Sequence, residues 1–196
     1  AGLGGGSSDA ASVLMGINKL FNLRLSEKKL ILLAEKLGAD VPFFILNNPF
    51  AIGKGKGDDL TKIKSNKILW HLIIFSGFKT STKDIYDAFA RKAKSLPKGL
   101  TFKCEDVKIP RYLTGSFDFK ALEKMLCNDL EDIAISKNLR LKSIIERLAS
   151  HLGRKAIVSG SGPSVFCLCR TGKEALAAKK KIFKAVPADE RKGWQV

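Results

Sequence analysis

The sequence predicts an α+β chain, with helix and sheet mixed along its 196 residues. Amphipathic stretches closed by glycine read as helices, and short unbroken apolar runs read as strands. A third observation divides them: Ile63 to Lys67 is polar and basic, which suits a boundary between two parts. With 45% hydrophobic residues the chain can bury a core, so disorder is not its default state.

The first stretch, Ala1-Gly2-Leu3-Gly4-Gly5-Gly6-Ser7-Ser8-Asp9, carries the strongest signal. Its glycines have no side chains to bury and cost backbone entropy to order, so they are not core. Ser7-Ser8-Asp9 reads as an N-cap trio for a helix from about Ser8 to Leu20. Val13, Leu14, Ile17, Leu20 and Phe21 form its apolar stripe. A glycine loop running onto a helix start is an anion cradle: free amides and the positive end of the helix dipole meet at one spot. Gly6 is followed by Ser7 rather than Lys, which excludes a Walker A loop. The spacing also breaks a dinucleotide fingerprint at its last glycine.

A second helix starts at Ser26 as N-cap, packs through Leu30, Leu33, Ala34 and Leu37, and stops at Gly38. Asp40 follows, a lone acid among apolar residues beside Pro42. It is either a helix cap or a carboxylate placed to accept a hydroxyl proton. Phe50 to Leu60 alternates glycine with lysine and reads as a glycine-rich strand or hairpin. Lys54 and Lys56 there read either as facing a ligand's phosphates or, equally, as edge protection, and they stay outside the site.

Ile68 to Phe75 is a central strand, and Lys83 to Lys94 a helix behind the N-cap Ser81 or Thr82. Leu96 to Tyr112, with Pro97, Gly99 and Pro110, reads as loop. Further helices are expected over Phe117 to Leu126, after Asn128-Asp129, and over Leu141 to Leu152. Ala156 to Val158 and Val165 to Cys169 are strands joined by the small-residue turn Ser159-Gly160-Ser161-Gly162-Pro163-Ser164, whose backbone can approach a ligand. Thr171-Gly172-Lys173 opens the last helix, and Trp194 to Val196 can add an edge strand.

The order G-L-G-G-G-S-S-D-A-A resembles the nucleotide loop of the GHMP kinases. G-A-D-V-P-F-F at 38–44, N-D-L-E at 128–131 and S-G-S-G-P at 159–163 are similar to further motifs of one branch, the 4-diphosphocytidyl-2-C-methyl-D-erythritol kinases. The resemblance implies a two-lobe fold. Residues 1–65 would be the remnant of a ribosomal-S5-like nucleotide-binding domain, and 66–196 a ferredoxin-like C-terminal domain. It also implies transfer of the ATP γ-phosphoryl group to the substrate's 2-hydroxyl, for non-mevalonate isoprenoid synthesis. In that reading Ala1 to Asp9 hold ATP, Ser8 adds a contact to its Mg²⁺, and Asp40 is the catalytic carboxylate. Gly160, Ser161 and Gly162 approach the substrate by backbone.

The family's early lysine motif, P-A-K-I-N-L, and its cytosine-reading Y-H pair do not occur. The resemblance therefore implies an N-terminally truncated fragment, inactive alone, of a cytoplasmic enzyme that is a monomer or homodimer. Alternatives are another small-alcohol kinase of the homoserine or mevalonate type and, ranked far lower, a basic nucleic-acid-binding protein. The net charge of +16 invites the latter, but Lys and Arg are spread along the chain and only Lys179-Lys180-Lys181 is dense. No apolar run is long enough to span a membrane. Cys104, Cys127, Cys167 and Cys169 contain no Cys-x-x-Cys pair and read as four reduced thiols.

Overall fold

A computed structural model describes residues 2–55, 57, 59–95 and 118–196. Ala1, Lys56, Cys104 and the stretch expected to be loop from Leu96 to Tyr112 lie outside the described residues. The chain forms two units, one of residues 4–66 and one of residues 2–3 with the described residues from 67 to 196.

The first unit holds α1 (Gly5–Leu20), α2 (Glu27–Glu35) and α3 (Val41–Ile45), then the strands β1 (Ala51–Lys54) and β2 (Asp59–Lys62). Ser26 caps α2 as expected, its hydroxyl accepting from the Lys29 amide at 3.4 Å. The turn between α1 and α2 is closed by Asn18. Its side-chain amide donates to the Leu25 carbonyl at 3.2 Å and accepts from the Leu25 amide at 2.9 Å. The glycine-rich stretch is a hairpin with Ala51 opposite Lys62 and Lys54 opposite Asp59. Asn48 fastens its base by donating to the carbonyls of Phe50 and Ile63.

The core of this unit corrects the stripe expected for α1. Ala11, Leu30, Ala34, Val41 and Ile45 are buried together, with Ala10, Leu14, Met15 and Phe44 packed against them. Val13 and Leu20 are 60% and 79% exposed, and Ile17 and Phe21 also face out. Both stripes fit a 3.6-residue period. The inward one carries two alanines because small side chains let α2 and α3 approach closely. On α2, Leu30 and Ala34 are buried as expected, whereas Leu33 is exposed, as is Leu37 just beyond the helix.

The second unit is built on the strands β3 (Trp70–Phe75), β4 (Ala156–Val158) and β5 (Ser164–Cys169), in the order β3-β5-β4 and antiparallel throughout. Its helices are α4 (Thr82–Ser95), α5 (Phe119–Met125), α6 (Glu131–Lys137), α7 (Leu139–Leu152) and α8 (Gly172–Ala185). The expected last strand is a single bridge, with the Phe75 amide donating to the Gln195 carbonyl at 2.8 Å and the reverse bond at 2.9 Å. With Gln195 counted, strands and crossovers follow the β-α-β-β-α-β order of a ferredoxin-like domain.

Alternation along the strands sends Leu72, Ile74, Val165 and Cys167 into one core with Ile144, Leu148 and Ile182 of the helices. The other face presents Leu168 and Phe166 to Phe119 and Leu122 of α5. Arg154, only 13% exposed, ties α5 to α8: it pairs with Glu123 and Glu174 and lies over the Phe119 ring at 4.9 Å. His71 packs edge-on against Phe166, and burial lowers its pKa.

One cysteine expectation is corrected. Cys127 is disulfide-bonded, so the four thiols are not all reduced. Cys167 and Cys169 are free and buried, and burial pushes the Cys167 thiol up to about 12. No described helix is long and apolar enough to cross a membrane.

Two outcomes follow from this packing. Ala11→Leu overfills a closed site and lowers stability by about 1–3 kcal/mol, whereas Leu20→Ser changes it by no more than about 0.5 kcal/mol. Urea denaturation of the two variants distinguishes this orientation of α1 from the reverse. Cys167, almost wholly protonated at pH 8, resists iodoacetamide in the folded chain and reacts after unfolding, as peptide mass spectrometry would show.

Candidate active site

The loop before α1 is shaped by close backbone approaches. Gly2 has φ +78°, and a Cβ there would lie 2.8 Å from the carbonyl oxygens of Ser159 and Gly162. Gly4 has φ +67°, and its Cβ would sit 2.9 Å from the Phe44 ring. Only glycine fits at either position. Around Gly5 and Gly6 nothing lies within 4 Å of an added Cβ, so the approach to their backbone is open.

The cap differs from the expected serine trio. Gly4, in the left-handed region, is the N-cap, and the helix starts at Gly5 with no side-chain cap bond. The physical reason is the Phe44 ring, which leaves no room for a capping side chain at Gly4. Ser7 and Ser8 therefore lie in the first turn. The first main-chain bond runs from the Ser8 amide to the Gly4 carbonyl at 2.9 Å. Helix geometry leaves the amides of Gly5, Gly6 and Ser7 without intrahelical acceptors. No acidic residue occupies this first turn, so the positive end of the dipole is not neutralised from within.

Asp40 stands at the N-cap position of α3, whose first turn contains Pro42, a residue that loses no hydrogen bond there. Its neighbours Val41 and Pro42 are buried, but its own side chain is exposed rather than set in an apolar wall. The carboxylate makes no cap bond and has no ion-pair partner among the described residues. Phe44, one turn further along α3, is the ring against Gly4. Residues four apart on a helix have Cβ atoms about 5–6 Å apart on one face. The carboxylate thus lies one helical turn from the residue that abuts the mouth of α1. Leu3 is exposed, as is Asp9.

The turn Ser159–Pro163 between β4 and β5 is held from several sides. The Ser159 amide donates to the Ser164 carbonyl at 2.8 Å, and the Gly162 amide to the Ser159 carbonyl at 2.9 Å. The Ser159 hydroxyl donates to the Gly2 carbonyl at 2.5 Å. Asn128 spends both amide hydrogens on this turn, at 2.8 Å to the Val158 carbonyl and 2.8 Å to that of Gly160. Glu131 accepts from the Val158 amide at 2.7 Å. Ser76 donates to the Pro163 carbonyl at 2.9 Å, and the Thr82 and Ser161 hydroxyls are 2.9 Å apart. Of the three turn residues singled out from the sequence, Gly160 is exposed, while Ser161 and Gly162 are buried.

Residues 76–82, read from the sequence as the approach to an N-cap, also bond to the β4–β5 turn. Besides Ser76 and Thr82, Thr80 has a buried hydroxyl with no partner among the described residues, 4.0 Å from where a Cβ on Gly162 would sit. The hydroxyl-rich run Thr80-Ser81-Thr82 was the available signal. It reads equally as an N-cap, which Ser81 does supply, to the Asp84 amide at 3.2 Å. Among the described residues no group of three or more His, Cys, Asp or Glu could hold a metal ion.

Comparison with known proteins follows this geometry. Residues 1–48 match the GHMP kinases N terminal domain, and residues 111–188 the GHMP kinases C terminal domain. A protein of Syntrophotalea carbinolica named 4-diphosphocytidyl-2-C-methyl-D-erythritol kinase is 36% identical over 195 residues, 100% of this chain and 63% of the relative. A protein of the same name from Pelobacter propionicus is 38% identical over 194 residues, 99% of this chain and 62% of that relative. A crystal structure of 4-(cytidine 5'-diphospho)-2C-methyl-D-erythritol kinase superposes with a TM-score of 0.68 at 31% identity, covering 94% of this chain and 63% of that one. The chain thus spans a little over three-fifths of the length of these relatives. With both domain models of the family matched along it, the chain belongs to the GHMP kinase family.

Proposed function

We propose that this chain is the larger part of a kinase that transfers the γ-phosphoryl group of ATP to the 2-hydroxyl of 4-diphosphocytidyl-2-C-methyl-D-erythritol, in the non-mevalonate route to isoprenoid precursors. The observation that carries the reading is the open, unneutralised mouth of α1 with the unengaged Asp40 carboxylate one turn from the ring beside it. Residues 1–65 are the remaining part of the nucleotide-binding domain and 66–196 the C-terminal domain. The apolar face left exposed on α1 and α2 by Val13, Ile17, Leu20, Phe21, Leu33 and Leu37 supports a missing layer. A helix apolar on two sides is one built for burial on both.

The residues present fit ATP. The amides of Gly5, Gly6 and Ser7 are left without intrahelical acceptors, nothing lies within 4 Å of a Cβ placed on Gly5 or Gly6, and the helix dipole favours the anion. ATP, when bound, supplies the phosphoryl group and brings Mg²⁺ with its phosphates. The protein would add a contact to that metal through the Ser8 hydroxyl, in the first turn of α1. Phosphoryl transfer asks mainly for positioning and charge neutralisation. The glycine loop positions the triphosphate by main chain, through the amides of Gly5, Gly6 and Ser7. Asp40 accepts the proton of the attacking hydroxyl, or orients that hydroxyl for attack. The Gly160 backbone faces the acceptor, and the Thr82–Ser161 hydroxyl pair and the bond from the Gly162 amide to the Ser159 carbonyl hold the turn rigid.

Asp40→Asn in the full-length protein lowers kcat by about 10²–10⁴-fold with the KM for ATP little changed. Because the side chain is exposed and uncapping, the melting temperature barely moves. Coupled ADP-release kinetics and a thermal melt on the same preparation check this, and normal turnover in the variant removes Asp40 from the chemistry.

The full-length protein phosphorylates 4-diphosphocytidyl-2-C-methyl-D-erythritol in preference to homoserine or mevalonate, and the 196-residue chain alone phosphorylates none of them. ADP release with each alcohol in turn tests the assignment. A preference for either smaller alcohol would move the protein to another branch of the family.

A further inference from the structure

Away from the glycine loop and Asp40, the second unit contains a cavity of about 400 Å³ between the N-terminal half of α7 and the turn that follows α8. That volume suits a small metabolite. Arg140 and Arg147 enter it from α7, seven positions apart and hence on one helix face. Lys192 and Trp194 enter from the C-terminal turn. Arg147 is paired with Glu190. Arg140 and Lys192 have no carboxylate partner among the described residues, though they line the same space.

Two exposed cations from different elements border one cavity with no carboxylate among the described residues paired to either, so an anion entering it would be attracted by both. A phosphate group is the compact anion that a guanidinium and an ammonium hold together. Asp189 also lines the cavity, and its carboxylate disfavours a bare anion but accepts from hydroxyl groups. Half-buried Trp194 supplies an apolar wall for a short carbon chain. We infer that this cavity binds a small phosphorylated polyol, its phosphate between Arg140 and Lys192 and its hydroxyls toward Asp189.

Such a ligand reaches the back of the β4–β5 turn through one residue. Ser76 lines the cavity and donates its hydroxyl to the Pro163 carbonyl at 2.9 Å. The C-terminal turn that carries Lys192 and Trp194 rests on the same place: a Cβ on Gly77 would meet the Gly193 carbonyl. A ligand that draws Lys192 toward Arg140 therefore tightens the backing of the β4–β5 turn.

The chain has two tryptophans, so Trp70→Phe leaves Trp194 as the only reporter and localises the readout to this cavity. Titration with glycerol 3-phosphate at constant ionic strength gives a saturable change in Trp194 fluorescence, and inorganic phosphate gives a weaker one. Adding Arg140→Gln and Lys192→Gln weakens the response by about tenfold or more. Both side chains are exposed, so a thermal melt shows the triple variant still folded. Absence of a saturable change up to about 10 mM would overturn the inference, because binding that weak is not a site. A response that survives the double substitution, or equal affinity for the two probes, would overturn it as well.

Discussion

Two places where main chain comes too close for any side chain constrain this molecule most. A Cβ at Gly2 would collide with the carbonyls of Ser159 and Gly162, and one at Gly4 with the Phe44 ring. The first approach presses the start of the loop onto the β4–β5 turn. The second abuts the start of α1 to α3 and leaves no room for a capping side chain. Unfilled by a serine or aspartate, the first-turn amides remain available to an external anion. A stability device, the side-chain cap, has been omitted where a ligand would do the same work. Loss of a cap costs about 1 kcal/mol, a modest sacrifice for an open anion cradle.

That same economy explains what was legible in the sequence and what was not. The glycine loop, the hairpin at 51–62, the central strand and the helix behind Ser81 were all visible, because glycine spacing and apolar runs are local signals. The inward face of α1 was not. Two stripes share the helical period, and the larger side chains drew the assignment while the alanines took the core. Helix faces are decided by what packs against them, and α2 and α3 need close approach. The cap of α1 was misplaced by three residues for a related reason. Ser7-Ser8-Asp9 is the better intrinsic cap, and the Phe44 ring overrides that preference. Asp40 could be found by motif, but its exposed, unengaged state could not, since that depends on the absence of partners across the fold. The bonds of Ser76 and Thr82 to the β4–β5 turn were not legible, because hydroxyls before a helix read first as caps. Their role against the turn rests on strands brought together from 79 or more positions apart.

The N-D-L-E segment shows how a motif can mark a branch without carrying chemistry. Asn128 uses both hydrogens of its amide on the carbonyls of Val158 and Gly160, and its oxygen accepts from the Leu130 amide at 3.0 Å. An aspartate of the same shape has no hydrogens to donate and would set a negative charge against two carbonyl oxygens. A glutamine could donate, but its extra methylene displaces the amide from a turn with little slack. Glu131 then takes the Val158 amide, so both main-chain groups at the end of β4 are satisfied from one short segment. Buried polar backbone left without partners is costly, and a turn that must stay open on its outer side cannot use its own carbonyls for every bond. The requirement falls on the residues behind it. Their identities are therefore fixed as tightly by hydrogen-bond geometry as those of residues that face a substrate.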